Sequence, residues 1–239
     1  FWMADQECFC LALERDGRQV SVVSSNAGQV LWSGIAAPEL ARKTAERLFH
    51  DDMFSGWGVR TLSAREVRYN PLAYQLGSIW PFDNSLILAG LRRHGCDDLA
   101  CRVFRATLDA AIRFGHGRLP EFFAGTARQT GFSPARCPRA DPLQAWSSGA
   151  IPFMTAELLG LRPDGFADRL RIVRPCLPEP IERIELEGLK VGSGTVDLLF
   201  RREAGGDVTA QARNVRGELS IEVERVESRT EPATALPSA

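Results

Sequence analysis

No apolar run in this sequence approaches the roughly 20 residues a helix needs to span a bilayer. No basic segment followed by an apolar stretch and a cleavage site opens it either. Charge of one sign is also missing. The 239 residues carry 29 Lys and Arg against 30 Asp and Glu, a formal net charge of −1. A dedicated nucleic-acid binder usually shows a basic excess, so the balance argues against that class. Histidine is scarce, with 3 residues far apart, and no C-x-x-C occurs among the 6 cysteines, so a structural zinc site is not expected. Without a secretion signal, the thiols are expected to be free and buried rather than paired. No Asn-x-Ser/Thr acceptor occurs, which fits a cytoplasmic placement. Neither G-x-S-x-G nor a P-loop is present, so serine-hydrolase and NTPase readings lack a motif. What is present is the composition of a folded chain, 44% hydrophobic and 25% charged, with enough apolar mass to bury a core.

Periodicity divides the chain unevenly. Phe9–Leu13 and Val20–Val23 flank Arg15-Asp16-Gly17-Arg18 as a hairpin would. Ser24–Gly34 is small and polar and reads as a loop. A helix is expected from Pro38, where proline's missing N–H costs nothing, with Ala41, Ala45, Leu48 and Phe49 on one face. Helical pattern returns over Asn84–Arg93 and Asp97–Phe114, the latter stopped by Gly115-His116-Gly117. Asp141-Pro142 reads as a cap and first turn of a further helix, with Ala145, Trp146, Gly149, Ala150, Phe153 and Leu158 as its apolar stripe. Beyond Pro175, four alternating stretches (Glu182–Glu187, Thr195–Arg201, Val208–Ala212, Leu219–Val226) predict antiparallel strands with one wet face. From Ser228 the composition is that of a disordered tail. Two long stretches, Asp51–Pro81 and Leu119–Pro138, have no period. Such lengths are functional more often than not when ordered.

Those two stretches carry the candidate chemistry. Trp57, Tyr74 and Trp80 offer aromatic faces, and Arg60, Asn70, Asp83 and Asn84 offer polar rims. A pyranose wants both, an apolar C–H face against a ring and hydroxyls paired to charged or amide groups. Any one of these tryptophans is more readily explained by core packing; the clustering of Trp, Asp, Arg and Asn on loops favours a site. Glu121 follows Pro120 and precedes Phe122-Phe123, where a carboxylate loses solvation and suits acid/base work. A surface glutamate, or an N-cap partner near a helix start, is the equal alternative. Asp83 precedes an apolar run and could cap a helix. Asp51-Asp52 and Asp97-Asp98 read as solvated helix ends.

In these segments the sequence resembles a known family. Ser55-Gly-Trp-Gly-Val-Arg-Thr-Leu62, Tyr69–Asn84, Leu119-Pro-Glu121 and Gln144-Ala-Trp-Ser-Ser-Gly-Ala150 are similar in order and spacing to the C-terminal part of bacterial amylo-alpha-1,6-glucosidases. These are glycogen-debranching-type enzymes, related to mannosylglycerate-hydrolase-like and glucoamylase-like glycosidases. Ser25-Asn-Ala-Gly28 and Leu31-Trp-Ser-Gly34 extend the resemblance, which covers residues 1–200.

The resemblance implies the C-terminal part of an (α/α)6 toroid, so the expected fold is mainly α, a partial toroid over residues 1–175, to which the alternation and composition above add a small antiparallel β appendage (176–227) and a disordered tail (228–239). It implies inverting hydrolysis of an α-glucosidic linkage with Glu121 as the general base. Trp57, Arg60, Tyr74, Trp80 and Asp83 would line the sugar subsite. The general acid would be an Asp upstream of Phe1, so this chain is expected to be a fragment, inactive alone, whose partners are its N-terminal half and an oligosaccharide or polysaccharide. No metal or organic cofactor, nucleic acid or membrane is expected. Gln75-Leu76 and Phe82 depart from the family's His-Asn and His, which bears on substrate identity. The alternatives are a degenerate or non-catalytic carbohydrate-binding module and a purely structural helical domain.

Overall fold

Pro38 opens a helix as expected, preceded by an extended Ala37 and followed by a buried face of Ala41, Ala45 and, just past its end, Leu48. The computed structural model describes residues 1–224; the tail expected from Ser228 lies outside the described residues. Two short antiparallel ribbons come first, β1 (Trp2–Met3) with β2 (Cys8–Phe9), and β3 (Ala12–Leu13) with β4 (Gln19–Val20). The second is the expected hairpin, shortened to its turn-proximal pairs. Then follow α1 (Asn26–Ser33), α2 (Pro38–Arg47), α3 (Pro81–Arg93), α4 (Asp97–Ala111) and α5 (Ala145–Leu158). The strands β5 (Leu161–Asp164), β6 (Arg169–Val173), β7 (Arg183–Val191), β8 (Gly194–Arg202), β9 (Val208–Arg216) and β10 (Ser220–Glu224) complete the described chain.

The mainly α expectation is overturned. Helix accounts for 28% and strand for 25%, the strands lying in four small sheets among the described residues. The β part begins at Leu161, before the expected boundary at 175. It is two three-stranded sheets, β10-β6-β5 and β7-β8-β9, facing each other across one apolar cluster built on Leu159, Leu170, Ile172, Val196, Leu198 and Phe200. Arg169–Val173 does carry a period-2 signal, since Leu170 and Ile172 are fully buried between exposed arginines. The fourth expected strand pairs parallel with β6, from Ser220 opposite Arg169 to Glu224 opposite Val173, rather than antiparallel.

The expected loop at Ser24–Gly34 is also corrected, because most of it is α1. Its small residues are there for close packing. A Cβ on Gly28 would stand 2.5 Å from Ile87 Cγ1, and one on Gly90 of α3 would stand 2.6 Å from the Trp32 backbone nitrogen. Two glycines thus let α1 and α3 approach backbone to side chain, which side-chain volume would forbid. In α5 the buried residues are Ser147, Ala150, Met154 and Leu158, while Trp146 and Phe153 stay partly exposed at 45% and 37%. Of the expected stripe, Ala150 and Leu158 do lie on the buried face, whereas Ser147 and Met154 take the places expected for Trp146 and Phe153. Asp141 does not cap α5; the residue before its first turn is Gln144, in extended conformation.

Residues 51–80 form no helix and no extended strand, as the absence of a period predicts, yet they are well bonded. Arg60 N–H donates to the Met53 carbonyl (2.8 Å) and Thr61 N–H to the Ser78 carbonyl (2.9 Å). Asn84, fully buried at the start of α3, accepts from Val59 N–H (2.7 Å) and donates to the carbonyls of Val59 and Trp80 (3.0 Å each). One amide side chain thereby fixes the loop against the helix. Asp52 forms no solvated helix end: it is buried in an ion pair with Arg47 (2.8 Å) and accepts from the Ser63 hydroxyl.

Candidate functional site

The site is made where the two aperiodic stretches meet. Ile79 and Phe123 exchange backbone hydrogen bonds (2.8 and 3.0 Å) as an isolated antiparallel bridge. That bridge sets Trp80 beside Phe122, with ring centroids 5.1 Å apart and planes 13° from parallel. Tyr74 meets both edge-on, at 4.8 Å from Trp80 and 5.2 Å from Phe122. Trp80 is held from behind, its indole N–H shared between the Tyr74 carbonyl (2.9 Å) and Ser78 Oγ (3.1 Å).

Glu121 sits one residue before that stack and is 8% exposed. Its Oε1 accepts from the Tyr74 hydroxyl (3.3 Å) and from Gln144 Nε2 (3.0 Å), and its Oε2 from the Asp141 N–H (3.2 Å). Its own N–H donates to the Asp141 carbonyl (2.8 Å), and Ser147 Oγ donates to its carbonyl (3.3 Å). The carboxylate is thus oriented from three directions without a cation. Desolvation, then the Glu121 charge and hydrogen bond, pushes the Tyr74 phenol above its ordinary value, so it stays a donor at neutral pH.

A cavity of about 410 Å³ opens alongside, walled by Trp80, Phe82, Asp83 and Trp146 with Gln75 and Leu76. Phe82 and Trp146 stack at 4.8 Å and 15° on its wall. Glu121 does not itself line this cavity; Trp80 belongs to both places. Asp83 lies half-buried in the first turn of α3, Oδ1 accepting from Gln29 Nε2 (2.6 Å). Burial raises its pKa against the hydrogen bonds from Ser25 and Gln29. Its Oδ2 and Gln144 Oε1 are both buried without a hydrogen-bond partner among the described residues.

Of the residues expected to line a sugar subsite, Tyr74, Trp80 and Asp83 converge here and Trp57 and Arg60 are spent elsewhere. Trp57 is 2% exposed in a cluster with Ile79, Phe114 and Phe123, its ring face covered by the guanidinium of Arg128 at 4.4 Å. Arg60 is buried and donates to the carbonyls of Gly125 (2.6 Å) and Asp51 (2.8 Å), tying the loops together. Asn70 and Asn84, the other polar candidates, serve a turn and the loop clamp. Gln144, bonded to Glu121, and Trp146, on the cavity wall, are candidate site residues that periodicity missed. The Gln-Ala-Trp segment carried the resemblance, but helical spacing assigned Trp146 to a core stripe. No group of three or more His, Cys, Asp and Glu that could hold a metal occurs among the described residues.

A fixed carboxylate beside an aromatic stack, next to a cavity walled by further rings and Asp83, has the residue chemistry that the carbohydrate-active class uses. The family model for the mannosylglycerate hydrolase MGH1-like glycoside hydrolase domain matches residues 1–130, and the chain belongs to that family. Its fold is similar to that of the GH78 family rhamnosidase of Bacillus sp. GL1 (TM-score 0.57, 18% identity, 93% of this chain and 21% of that one). It is also similar to neutral trehalase Nth1 from Saccharomyces cerevisiae (TM-score 0.51, 16% identity, 65% and 27%). A third likeness is to the GH63 mannosylglycerate hydrolase from Thermus thermophilus (TM-score 0.50, 19% identity, 64% and 35%). The chain spans about a third of that hydrolase's length, and less of the other two. No curated protein matches it.

Proposed function

We propose that this chain carries the general base of an inverting glycoside hydrolase, with Glu121 in that role. The observation that supports it is the carboxylate's fixation by Tyr74, Gln144 and the Asp141 N–H next to the Trp80–Phe122 stack. A base must present one oxygen to a water in a constant direction, and three donors restrict its rotation. In an inverting pair the acid stands about 6.5–9.5 Å away to leave room for that water. The acid is proposed to be an Asp of a segment preceding Phe1 in the complete enzyme. Tyr74, Trp80 and Asp83 then bind the sugar, with Trp146 added to the aromatic wall, while Trp57 and Arg60 act through the loops they hold.

The substrate we assign is an α-glucosidic linkage of a glycogen-like or related α-glycoside, of amylo-alpha-1,6-glucosidase type. Phe82 and Leu76 make the cavity wall less polar, which is the observation favouring a second reading, a degenerate module that binds sugar without cleaving it. Glu121→Gln in the full-length enzyme separates the two. For the hydrolase, kcat falls by about 10²–10⁴-fold while glycan binding persists. Unchanged hydrolysis removes Glu121 from the base role, and binding with no hydrolysis in the unaltered enzyme, assayed on branched α-glucan and on mannosylglycerate, establishes the second reading.

A further inference from the structure

Cys101 on α4 and Cys176 on the segment joining β6 to β7 place their sulfurs 3.7 Å apart across 75 residues of sequence. The backbone fixes Cys176 there, its N–H donating to the Leu158 carbonyl at 2.9 Å. Both thiols are half-buried and line a cavity of about 260 Å³ with Asp98, Arg174 and Arg202, so a small reagent reaches them. Cys8, Cys10 and Cys137 are instead buried, and burial pushes the Cys8 thiol up to about 11. A disulfide has its sulfurs about 2.05 Å apart, so side-chain rotation has less than 2 Å to close. We propose that Cys101 and Cys176 are a modification site, a dithiol that a hydroperoxide converts reversibly to a disulfide tying α4 to the β region. Cys176 is the attacking sulfur: the hydrogen bond from Cys101, helped by Arg92 and Arg174 and opposed by burial and Asp97, holds its thiol below the ordinary value, while the same bond raises Cys101.

The Cys176 thiolate attacks one peroxide oxygen and the O–O bond breaks. Sulfur becomes a sulfenic acid, and the peroxide's other oxygen leaves, protonated, as an alcohol or water. Cys101 sulfur then attacks the sulfenic sulfur, its proton leaving with the hydroxyl as water while the S–S bond forms. Two thiols lose two electrons and one peroxide is reduced. The closed loop contains Glu121, Gln144 and Trp146, so oxidation restrains the segment that carries the candidate carboxylate. The test is peptide mapping of the full-length protein after hydrogen peroxide. The expected result is a linked Cys101–Cys176 peptide lighter by two hydrogens and reversed by dithiothreitol. In Cys101→Ser, a dimedone trap marks Cys176 as sulfenate; in Cys176→Ser, Cys101 is not marked. Overoxidation of Cys176 without a link, or a link to another cysteine, overturns the proposal. If either variant misfolds, the map of the unaltered protein still decides.

Discussion

Two side chains that hold Glu121 differ in reach, and that difference orders their effects. Gln144 donates at 3.0 Å and Tyr74 at 3.3 Å. A hydrogen bond to a charged group contributes about 1.5–3 kcal/mol and an ordinary one about 1 kcal/mol. On the proposed base role of Glu121, Gln144→Leu should therefore reduce kcat by more than Tyr74→Phe, the latter by roughly tenfold, the low end of the charged-bond range, given its longer contact. Steady-state kinetics that reversed this order would show that the carboxylate is oriented otherwise. The Arg47–Asp52 pair offers a stability test. Burial alone would raise the Asp52 pKa, but the hydrogen bonds of Arg47 and Ser63 outweigh it and leave it below the ordinary aspartate value. A depressed folded value means stability that is present above the unfolded pKa and lost as pH falls through the folded one. Removing the arginine leaves a buried charge without its partner, so Arg47→Met should cost about 3–5 kcal/mol at neutral pH, read by urea unfolding, and less in acid.

Between elements, glycine spacing sets what can touch. Gly90 approaches Leu31 and Trp32 so closely that any side chain there meets backbone. Gly90→Ala should separate α1 from α3 and lower stability by about 1–3 kcal/mol, with amide exchange in α1 rising first. A neutral result would mean the two helices slide freely. The same reasoning explains why α1 is illegible in sequence: Asn26-Ala-Gly-Gln offers small polar residues that also make a loop, and only their fit against α3 turns them into a helix. Period-2 alternation is legible for β7, where exposed Arg183 and Glu185 flank Ile184, and for β9, where exposed Thr209 and Gln211 alternate with Val208, Ala210 and Ala212, while the central β8 buries Leu198, Leu199 and Phe200 in a row. The alternation is faint in Arg169–Val173, where only five residues carry it, and Leu161-Arg-Pro-Asp shows none.

Across the whole molecule, one buried arginine joins the helices to the β region. Arg92 is 2% exposed, pairs with Asp97, and donates to the carbonyls of Glu157, Val173 and Arg174. All 5 tryptophans (Trp2, Trp32, Trp57, Trp80, Trp146) lie before β5, so their fluorescence reports on the helical part alone. In the unaltered protein, fluorescence and amide exchange in β6–β9 should report one unfolding transition. In Arg92→Met the carbonyls lose their donor and the two transitions should part, with a total loss of about 3–5 kcal/mol. Coincident transitions in that variant would assign the coupling to apolar contact instead.

Residue order alone was enough to identify Glu121 and the Tyr74–Trp80 segment as candidate chemistry, because a carboxylate behind proline and before two aromatic rings is a local statement. The helices over Pro38–Arg47 and Asp97–Ala111 were legible for the same reason, their apolar positions recurring at helical spacing within one segment. Which of the aromatic and polar candidates face a cavity was not local. Trp57 and Trp80 look alike in sequence, yet one is covered by Arg128 and the other walls a cavity, since exposure depends on contacts made tens of residues away. The meeting of Glu121 with Gln144, and of Cys101 with Cys176, belongs to the same category: chain separation says nothing of distance until the intervening elements have packed.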